Sequence, residues 1–190
     1  MWSFRGANFQ YVITLNPGRV DPLWRVRAVC DVNHDGRSDL VWQYAPSGQV
    51  AFWLMDGITA IGFVVPQRPM PRPDWEIFGC GDVNFDGQSD LSFGSTAHRG
   101  TLAVWHMMGT EYVRGLSPSA SPNDAAWRAV AVLDLDGDAA PDIVLATLGY
   151  RDDIRVGFRA GDPPLFASFR PIESRGSELE DCGTEVRCDQ

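Results

Sequence analysis

The sequence predicts an all-β protein built from about three and a half repeated, four-stranded antiparallel units. An acidic phrase led by tryptophan occurs three times, beginning at Trp24, Trp75 and Trp127. This spacing of 51 and 52 residues is typical of stacked supersecondary units. Short apolar runs, 19 glycines and 13 prolines indicate many short strands and turns, and no segment has a sustained helical period.

The repeat extends beyond the acidic phrase and sets the domain organisation. Four glycines recur at the same spacing, namely Gly6, Gly57, Gly109 and Gly161. We therefore expect one repeat domain over residues 1–171, which opens with the second half of a unit. The predicted parts are a half unit at 1–23, whole units at 24–74, 75–126 and 127–171, and a polar, acidic tail at 172–190.

Each whole unit is predicted to hold four strands. The acidic loop follows the first strand, and turn dipeptides such as Asp56-Gly57 separate the later ones. In the first unit the predicted strands are Trp24–Val29, Leu40–Tyr44, Val50–Met55 and Ile58–Val65. In the second they are Glu76–Gly79, Leu91–Phe93, Thr101–Met107 and Tyr112–Gly115.

A four-stranded unit of about fifty residues has the size of a β-propeller blade, so we expect a propeller-like array. One sheet cannot bury both of its faces, whereas stacked neighbours can. The tryptophans that recur at equal places are interpreted as filling between blades rather than as sugar platforms. They are Trp2, Trp24, Trp53, Trp75, Trp105 and Trp127.

Several linked motifs resemble the FG-GAP/VCBS repeat family over about 170 of the 190 residues. The segment from Cys80 to Leu91 reads Cys-Gly-Asp-Val-Asn-Phe-Asp-Gly-Gln-Ser-Asp-Leu. Leu40-Val-Trp42 and Ala51-Phe-Trp-Leu-Met-Asp-Gly57 fit the strands that follow this loop in the family. The resemblance implies β-propellers with calcium bound between strands one and two.

The acidic loops themselves predict calcium sites. Oxygen donors stand at positions one, three, five, seven and nine of each loop, which is how a tight loop surrounds calcium. Position seven would contribute its backbone carbonyl. The predicted ligands are Asp31, Asn33, Asp35, Arg37 and Asp39 in the first loop and Asp82, Asn84, Asp86, Gln88 and Asp90 in the second.

The third loop departs from this pattern. Its predicted ligands are Asp134, Asp136, Asp138, Ala140 and Asp142. Position six is Gly36 and Gly87 in the first two loops, where glycine permits a sharp turn, but Ala139 in the third. We expect this residue and Pro141 to strain or reshape the turn. The alternative for all three loops is a set of solvated turns whose Asp and Asn side chains cap their own backbone.

The four cysteines give two expectations. Cys30 and Cys80 lie in equivalent strands but one position out of register, so their side chains should point to opposite faces and remain unpaired. Cys182 and Cys188 close a short loop in the tail and could form a local disulfide. The cysteines favour an oxidising compartment, and we expect an extracytoplasmic (secreted or periplasmic) location although the N-terminal residues do not read as a signal peptide.

Composition narrows the function. A net charge of −9 argues against nucleic-acid binding and fits cation binding. No run is apolar enough to span a membrane. The three histidines share no spacing with a nucleophile, so we expect no enzymatic activity. The prediction is a non-catalytic, calcium-stabilised β-propeller-type module for protein–protein interaction or scaffolding, as an extracytoplasmic subunit of a larger assembly. Its partner would be another protein or a second copy bound through the open blade faces, and the alternative is a carbohydrate-binding lectin.

Overall fold

The computed structural model describes residues 2–6, 8–12, 14–15, 19–67, 71–117, 126–135, 137, 140–147, 154–160 and 165–171, of which 2–4, 154–160 and 165–171 by backbone alone. Within these ranges the chain forms fourteen strands and no helix. The strands are β1 (Trp2–Arg5), β2 (Asn8–Val12), β3 (Trp24–Cys30), β4 (Asp39–Tyr44), β5 (Val50–Asp56), β6 (Thr59–Val64), β7 (Trp75–Gly81), β8 (Asp90–Ser95), β9 (Leu102–Met108), β10 (Glu111–Leu116), β11 (Trp127–Leu133), β12 (Asp142–Thr147), β13 (Ile154–Ala160) and β14 (Leu165–Pro171).

The strands form three four-stranded antiparallel sheets and one two-stranded sheet. Sheet 1 contains β3–β6, sheet 2 contains β7–β10 and sheet 3 contains β11–β14, each with its strands in chain order. The hairpin β1–β2 is the two-stranded sheet. The predicted all-β class and the eight predicted strands are confirmed, with bounds that differ by only one or two residues. Among the described residues no helix is long and apolar enough to cross a membrane.

The first strand of each sheet carries a bulge at the same place. The register with the second strand shifts at Arg27 in sheet 1, at Phe78 in sheet 2 and at Val130 in sheet 3. A bulge bends the strand and moves the residues that follow it to the other face. The three units therefore share this bulge as well as their repeated sequence. As a result, equivalent residues lie on equivalent faces of the three sheets.

The sheets pack face to face, and their first strands lie beside one another. β3 contacts β7, and β7 contacts β11. One apolar cluster joins sheets 1 and 2, with Phe52 on one side and Leu91 and Phe93 on the other. A second cluster joins sheets 2 and 3, with Val104 opposite Ile143. Trp105 and Trp127 are buried in these clusters, as expected, while Trp24, Trp53 and Trp75 are half-buried and the Trp2 side chain lies outside the described residues.

Cys30 and Cys80 form a disulfide between sheets 1 and 2, so the expectation that they remain unpaired is wrong. Their side chains do leave opposite faces of their own sheets, as the register predicts. In a stack, however, one face of each sheet packs against the opposite face of the next sheet. Side chains that leave opposite faces of two neighbouring sheets can therefore meet. Glycine neighbours confirm this alternation, because a Cβ on Gly79 or Gly81 would touch sheet 3 while Cys80 reaches sheet 1. Cys182 and Cys188 lie outside the described residues.

The two outer faces of the three-sheet stack expose positions that are buried inside it. We call the outer face of sheet 1 the rear face; it includes Val29, Leu40, Trp42, Trp53 and Phe63. We call the outer face of sheet 3 the front face; it includes Leu133 and Leu135. The residues named on both faces are apolar.

Candidate metal centre

The three acidic loops each join the first strand of a sheet to the second, as the sequence predicts. They cover residues 31–39, 82–90 and 134–142. Each follows a strand that belongs to the row of first strands, so the three loops recur at the same end of successive sheets. The rest of the sheet positions them, because the last residue of each loop begins a buried second strand.

Backbone N–H groups hold the acidic side chains of the first loop. The carboxylate of Asp31 accepts hydrogen bonds from the N–H of Asp35 at 3.1 Å and of Gly36 at 2.7 Å. Asn33 accepts a second bond from Asp35 N–H at 3.2 Å and donates to its carboxylate at 3.0 Å. Asp35 accepts from Arg37 N–H at 2.9 Å. The side chains at positions one, three and five are thereby drawn into one turn.

The second loop repeats this network bond for bond. Asp82 accepts from Asp86 N–H at 3.0 Å and Gly87 N–H at 2.9 Å, and Asn84 bonds Asp86 in the same two ways. Asp86 accepts from the N–H of Gln88 at 2.8 Å. The two loops are therefore one local structure, fixed by the motif rather than by the surrounding sheet. These hydrogen bonds agree with the alternative in which the Asp and Asn side chains cap their own backbone. They do not use every lone pair of the carboxylates.

Position four of the loop also requires a left-handed backbone, which sequence reasoning missed. His34 has a φ of 62° and Phe85 a φ of 60°, a region that costs L-residues roughly 1–2 kcal/mol. Position six has the glycines that the sequence predicts, with φ of 83° at Gly36 and 85° at Gly87. In the third loop Gly137 occupies position four with a φ of 81°. The third loop thus has its glycine at position four, whereas the first two loops have theirs at position six.

The aspartate at position nine is buried and ties the loop to the sheet. Asp39 accepts bonds from Val32 N–H at 3.1 Å and, across the sheet, from Met55 N–H at 2.8 Å. Asp90 accepts equivalent bonds from Val83 and Met107. Asp142 is also buried and accepts from Leu135 N–H at 2.9 Å. All three residues close their loops, and Asp39 and Asp90 also hold the third strand of their sheets, in addition to their predicted part as ligands.

Burial raises the pKa of the aspartate at position nine in the first two loops. Burial raises the pKa of Asp90 to about 7, and the carboxylates of Asp86 and Asp82 add to this rise, while the hydrogen bond from Met107 opposes it. Burial also raises the pKa of Asp39, where Asp35 and Asp31 act in the same direction. The carboxylates of each loop are therefore close enough to repel one another, and a cation among them would relieve that repulsion.

A buried histidine reaches the second loop, and sequence reasoning missed it. His106 Nδ1 lies 3.0 Å from Asn84 Nδ2, and Arg114 Nε lies 3.4 Å from the same ring nitrogen. Burial lowers the pKa of His106, and the charge of Arg114 lowers it further. The Gln88 side chain also accepts a bond from Gly109 N–H at 3.0 Å. These contacts orient the loop, and only the pairing of β9 with β8 brings them there.

In the third loop, Asp136, Asp138 and Ala139 lie outside the described residues. Asp134 accepts a bond from Gly137 N–H at 2.7 Å, one residue earlier than the equivalent bonds in the other loops. Ala140, whose carbonyl is the predicted ligand at position seven, is buried. The described part of this loop therefore makes a different turn from the other two loops.

The comparison with known families matches this region. The family model for the FG-GAP-like repeat matches residues 82–145, from the second acidic loop into β12. This segment is an FG-GAP-like repeat. The resemblance found in the sequence is confirmed over these residues. No curated protein and no solved structure matches the chain.

The FG-GAP-like repeat and the loop before it offer the donor set that a hard cation takes. Carboxylate, amide and carbonyl oxygens suit calcium, and Asp31, Asn33 and Asp35 bring them together within five residues. The ion pairs among the described residues leave these carboxylates without a cation, since Arg37 pairs with Asp56 instead. Within the described ranges, however, no three His, Cys, Asp or Glu side chains are already arranged as a metal cage. Calcium would therefore have to draw the oxygens inward.

Proposed function

We propose that this chain is a non-catalytic interaction module whose sheets act as propeller-type blades. Its two end faces would bind other blades of the same kind, with a second copy of the chain as the partner. Calcium would stabilise the loops, and the module would act outside the cytoplasm. One observation carries this proposal: equivalent positions are buried inside the stack and exposed at its ends.

The front face supplies half of this observation. Position two of the acidic loop is Val32 in sheet 1 and Val83 in sheet 2, which are 1% and 2% exposed because the next sheet covers them. In sheet 3 the same position is Leu135, which is 47% exposed. A large aliphatic side chain is thus available at the place that the inner sheets use for packing. Burying its remaining exposed half would favour association by roughly 1 kcal/mol.

The rear face supplies the other half. Leu91 in sheet 2 and Ile143 in sheet 3 are fully buried by the preceding sheet, but Leu40 at the same place in sheet 1 is only half-buried. Phe63 on that face is 61% exposed and packs edge-on against Trp53. A front face is what covers this position in sheets 2 and 3. The front face of a second copy is therefore the surface that the rear face of sheet 1 suits.

A head-to-tail contact of this kind joins two different faces, so it predicts a specific complementation result. Phe63→Lys spoils only the rear face, and Leu135→Lys spoils only the front face. Size-exclusion chromatography with light scattering should show a wild-type chain that associates with concentration, and each variant alone as a monomer. Mixing the two variants should restore one good contact and give a dimer.

The matched control is Met108→Lys, which changes an exposed apolar residue at the end of β9. It should associate like the wild type. A wild-type chain that stays monomeric at all concentrations would contradict self-association. Monomeric wild type that is captured by a different blade-containing protein would leave the faces as docking surfaces but replace the partner.

Two further observations support the extracytoplasmic location and the calcium binding that this proposal includes. The Cys30–Cys80 disulfide supports an extracytoplasmic location, because such bonds persist mainly in oxidising compartments. The oxygen donors of the first two loops support calcium, with Asp31, Asn33, Asp35, Asp82, Asn84 and Asp86 as the ligands that the shared network draws together.

Carbohydrate binding is a second candidate with one observation in its favour. A cavity of about 230 Å³ on the rear face is lined by Trp24, Trp42 and Trp53, and the buried Nε1 of Trp42 has no hydrogen-bond partner among the described residues. The other described lining residues are aliphatic or aromatic, which suits another protein better than a polyhydroxylated sugar. Binding on a glycan array that Trp42→Phe abolishes would favour the lectin instead.

A further inference from the structure

A cavity of about 500 Å³ lies at the junction of sheets 2 and 3, close to the row of first strands. Its described lining includes two arginines, Arg27 and Arg99, and one acidic residue, Glu76. Arg128 also borders the cavity, but its side chain leaves the opposite face of β11 from the buried Trp127 and Ala129. This cationic lining stands out in a chain whose net charge is −9. The cavity is separate from the acidic loops and from the two end faces.

One position of the repeat has no side chain at this junction. At the junction of sheets 1 and 2 that position is Gln43, opposite Arg25 in the register of its sheet. At the junction of sheets 2 and 3 it is Gly94, opposite Glu76. Gln43 is buried and fills its junction. Gly94 has no side chain there and lines the cavity, where a Cβ would lie 3.7 Å from Phe78 and 3.9 Å from Ala129.

Gln43 also shows which chemistry the space accommodates. Its Oε1 accepts a bond from Ile77 N–H at 3.1 Å, and its Nε2 donates to the Trp75 carbonyl at 2.8 Å. The equivalent residues in sheet 3 are Ala129 and Trp127, and both line the cavity. A ligand oxygen placed where Gln43 Oε1 lies would therefore meet the backbone of Ala129.

The arginines define the charge of such a ligand. Arg27 uses one nitrogen on Glu76 at 2.7 Å, and its buried Nε has no hydrogen-bond partner among the described residues. Guanidinium groups suit carboxylates, which accept two parallel hydrogen bonds. The size of the cavity lies within the range of sites for small molecules.

We propose that this junction cavity, which has Gly94 where the preceding junction has Gln43, binds a small hydroxycarboxylic acid. Its carboxylate oxygen takes the place of Gln43 Oε1 beside Ala129, within reach of the arginines. Its hydroxyl groups face the polar rim, where Ser95 and Thr101 also line the cavity. The acid is either a sugar acid or an aliphatic hydroxy acid, since both present this chemistry. The proposal is independent of association through the end faces.

The decisive variant is Gly94→Gln, which restores the side chain that the preceding junction already has. Isothermal titration with glucuronate and with malate should show saturable binding to the wild type at millimolar concentration by at least one acid, and none to this variant. Glucose, the neutral counterpart of glucuronate, should not bind. Gly94→Ala is the matched control, because its methyl group would make only ordinary contacts of 3.7 Å and 3.9 Å. It should bind like the wild type.

The charge requirement is tested by a second pair of variants. Arg99 and Arg25 are both exposed arginines, but only Arg99 lines the cavity. Arg99→Gln should weaken acid binding by about tenfold, as expected for a lost charged hydrogen bond, while Arg25→Gln should leave it unchanged. Glu76→Gln should strengthen binding, because it frees Arg27.

Three results would overturn the proposal. The first is a wild-type chain that binds neither acid. The second is a folded Gly94→Gln variant, checked by circular dichroism, that binds as tightly as the wild type. The third is an equal loss in Arg25→Gln and Arg99→Gln, which would show that the effect comes from overall charge.

Discussion

The side-chain amide of Gln43 hydrogen-bonds the backbone of Ile77 in the neighbouring sheet, with Ile77 N–H donating to Oε1 at 3.1 Å. The same amide donates to the carbonyl of Trp75 at 2.8 Å. One side chain from β4 therefore satisfies two backbone groups of β7, as an adjacent strand would. This bond pair links sheets whose other contacts are mainly apolar, so it fixes their lateral position as well as their distance.

Gln43→Met should lower the free energy of unfolding by about 1–3 kcal/mol, because it keeps the volume and leaves buried backbone groups without partners. Urea denaturation of the purified chain measures this change. Gln67→Met, at an exposed position outside the sheets, is the control and should change stability by less than about 0.5 kcal/mol. Equal stability of the two variants would show that water replaces the Gln43 amide at no cost.

Replacing both members of the Cys30–Cys80 pair should destabilise the chain by about 2–4 kcal/mol, because the bond closes a loop across 50 residues of sequence. The double variant Cys30→Ala/Cys80→Ala avoids a free thiol. Urea denaturation under non-reducing conditions should show a lower midpoint for the variant. Adding a reductant should bring the wild type to the same midpoint.

The control for this experiment is chemical. Alkylation followed by mass spectrometry of the non-reduced wild type should leave Cys30 and Cys80 unmodified. If both are alkylated in the folded protein, the bond does not form in solution. A variant with unchanged stability would instead mean that the apolar cluster alone holds sheets 1 and 2 together.

Much of the fold could be predicted from the sequence, because every unit repeats the same local signals. The strand bounds follow from alternating apolar residues, and the loops follow from Asp, Asn and Gly at fixed positions. The Cys30–Cys80 bond could not be predicted by the same local argument. The register gave the correct directions for the two side chains, but whether opposite directions meet depends on how sheets stack, which no single strand encodes.

The candidate metal centre likewise combines contacts within the motif, which could be predicted, with contacts from distant strands, which could not. The oxygens at positions one, three and five are local to the motif, and they lie together as expected. The double role of Asp39 depends on Met55, sixteen residues away in β5, and the contact of His106 with Asn84 depends on the pairing of β9 with β8. The left-handed position four was missed because His34 and Phe85 are not glycine.

Calcium should raise the melting temperature of the chain, since a ligand that binds only the folded loops stabilises the folded state. Thermal melts in excess chelator and in millimolar calcium measure this rise. Asp82→Asn removes a charge from position one of the second loop and should reduce the rise. Glu111→Gln, an exposed carboxylate at the start of β10, is the control and should leave it unchanged.

A melting temperature that does not respond to calcium would leave the loops as turns capped by their own side chains. Magnesium serves as a second control, because it demands a tighter octahedral shell and keeps several of its waters. An equal rise with both cations, also retained in Asp82→Asn, would indicate screening of the acidic surface rather than binding at the loops.

Two glycines on adjacent strands of sheet 2 should respond differently to the same substitution. A Cβ on Gly79 would lie 2.6 Å from Val132 Cγ2, which is closer than packed atoms allow, whereas a Cβ on Gly94 would find its nearest neighbour, Phe78, at 3.7 Å. Gly79→Ala should therefore push sheet 3 away and lower the free energy of unfolding by about 1–3 kcal/mol. Gly94→Ala should be neutral or slightly stabilising, since alanine restricts the unfolded chain. Urea denaturation of the two variants side by side tests the close approach of β7 and β11, and equal effects would mean that sheets 2 and 3 are farther apart than this packing requires.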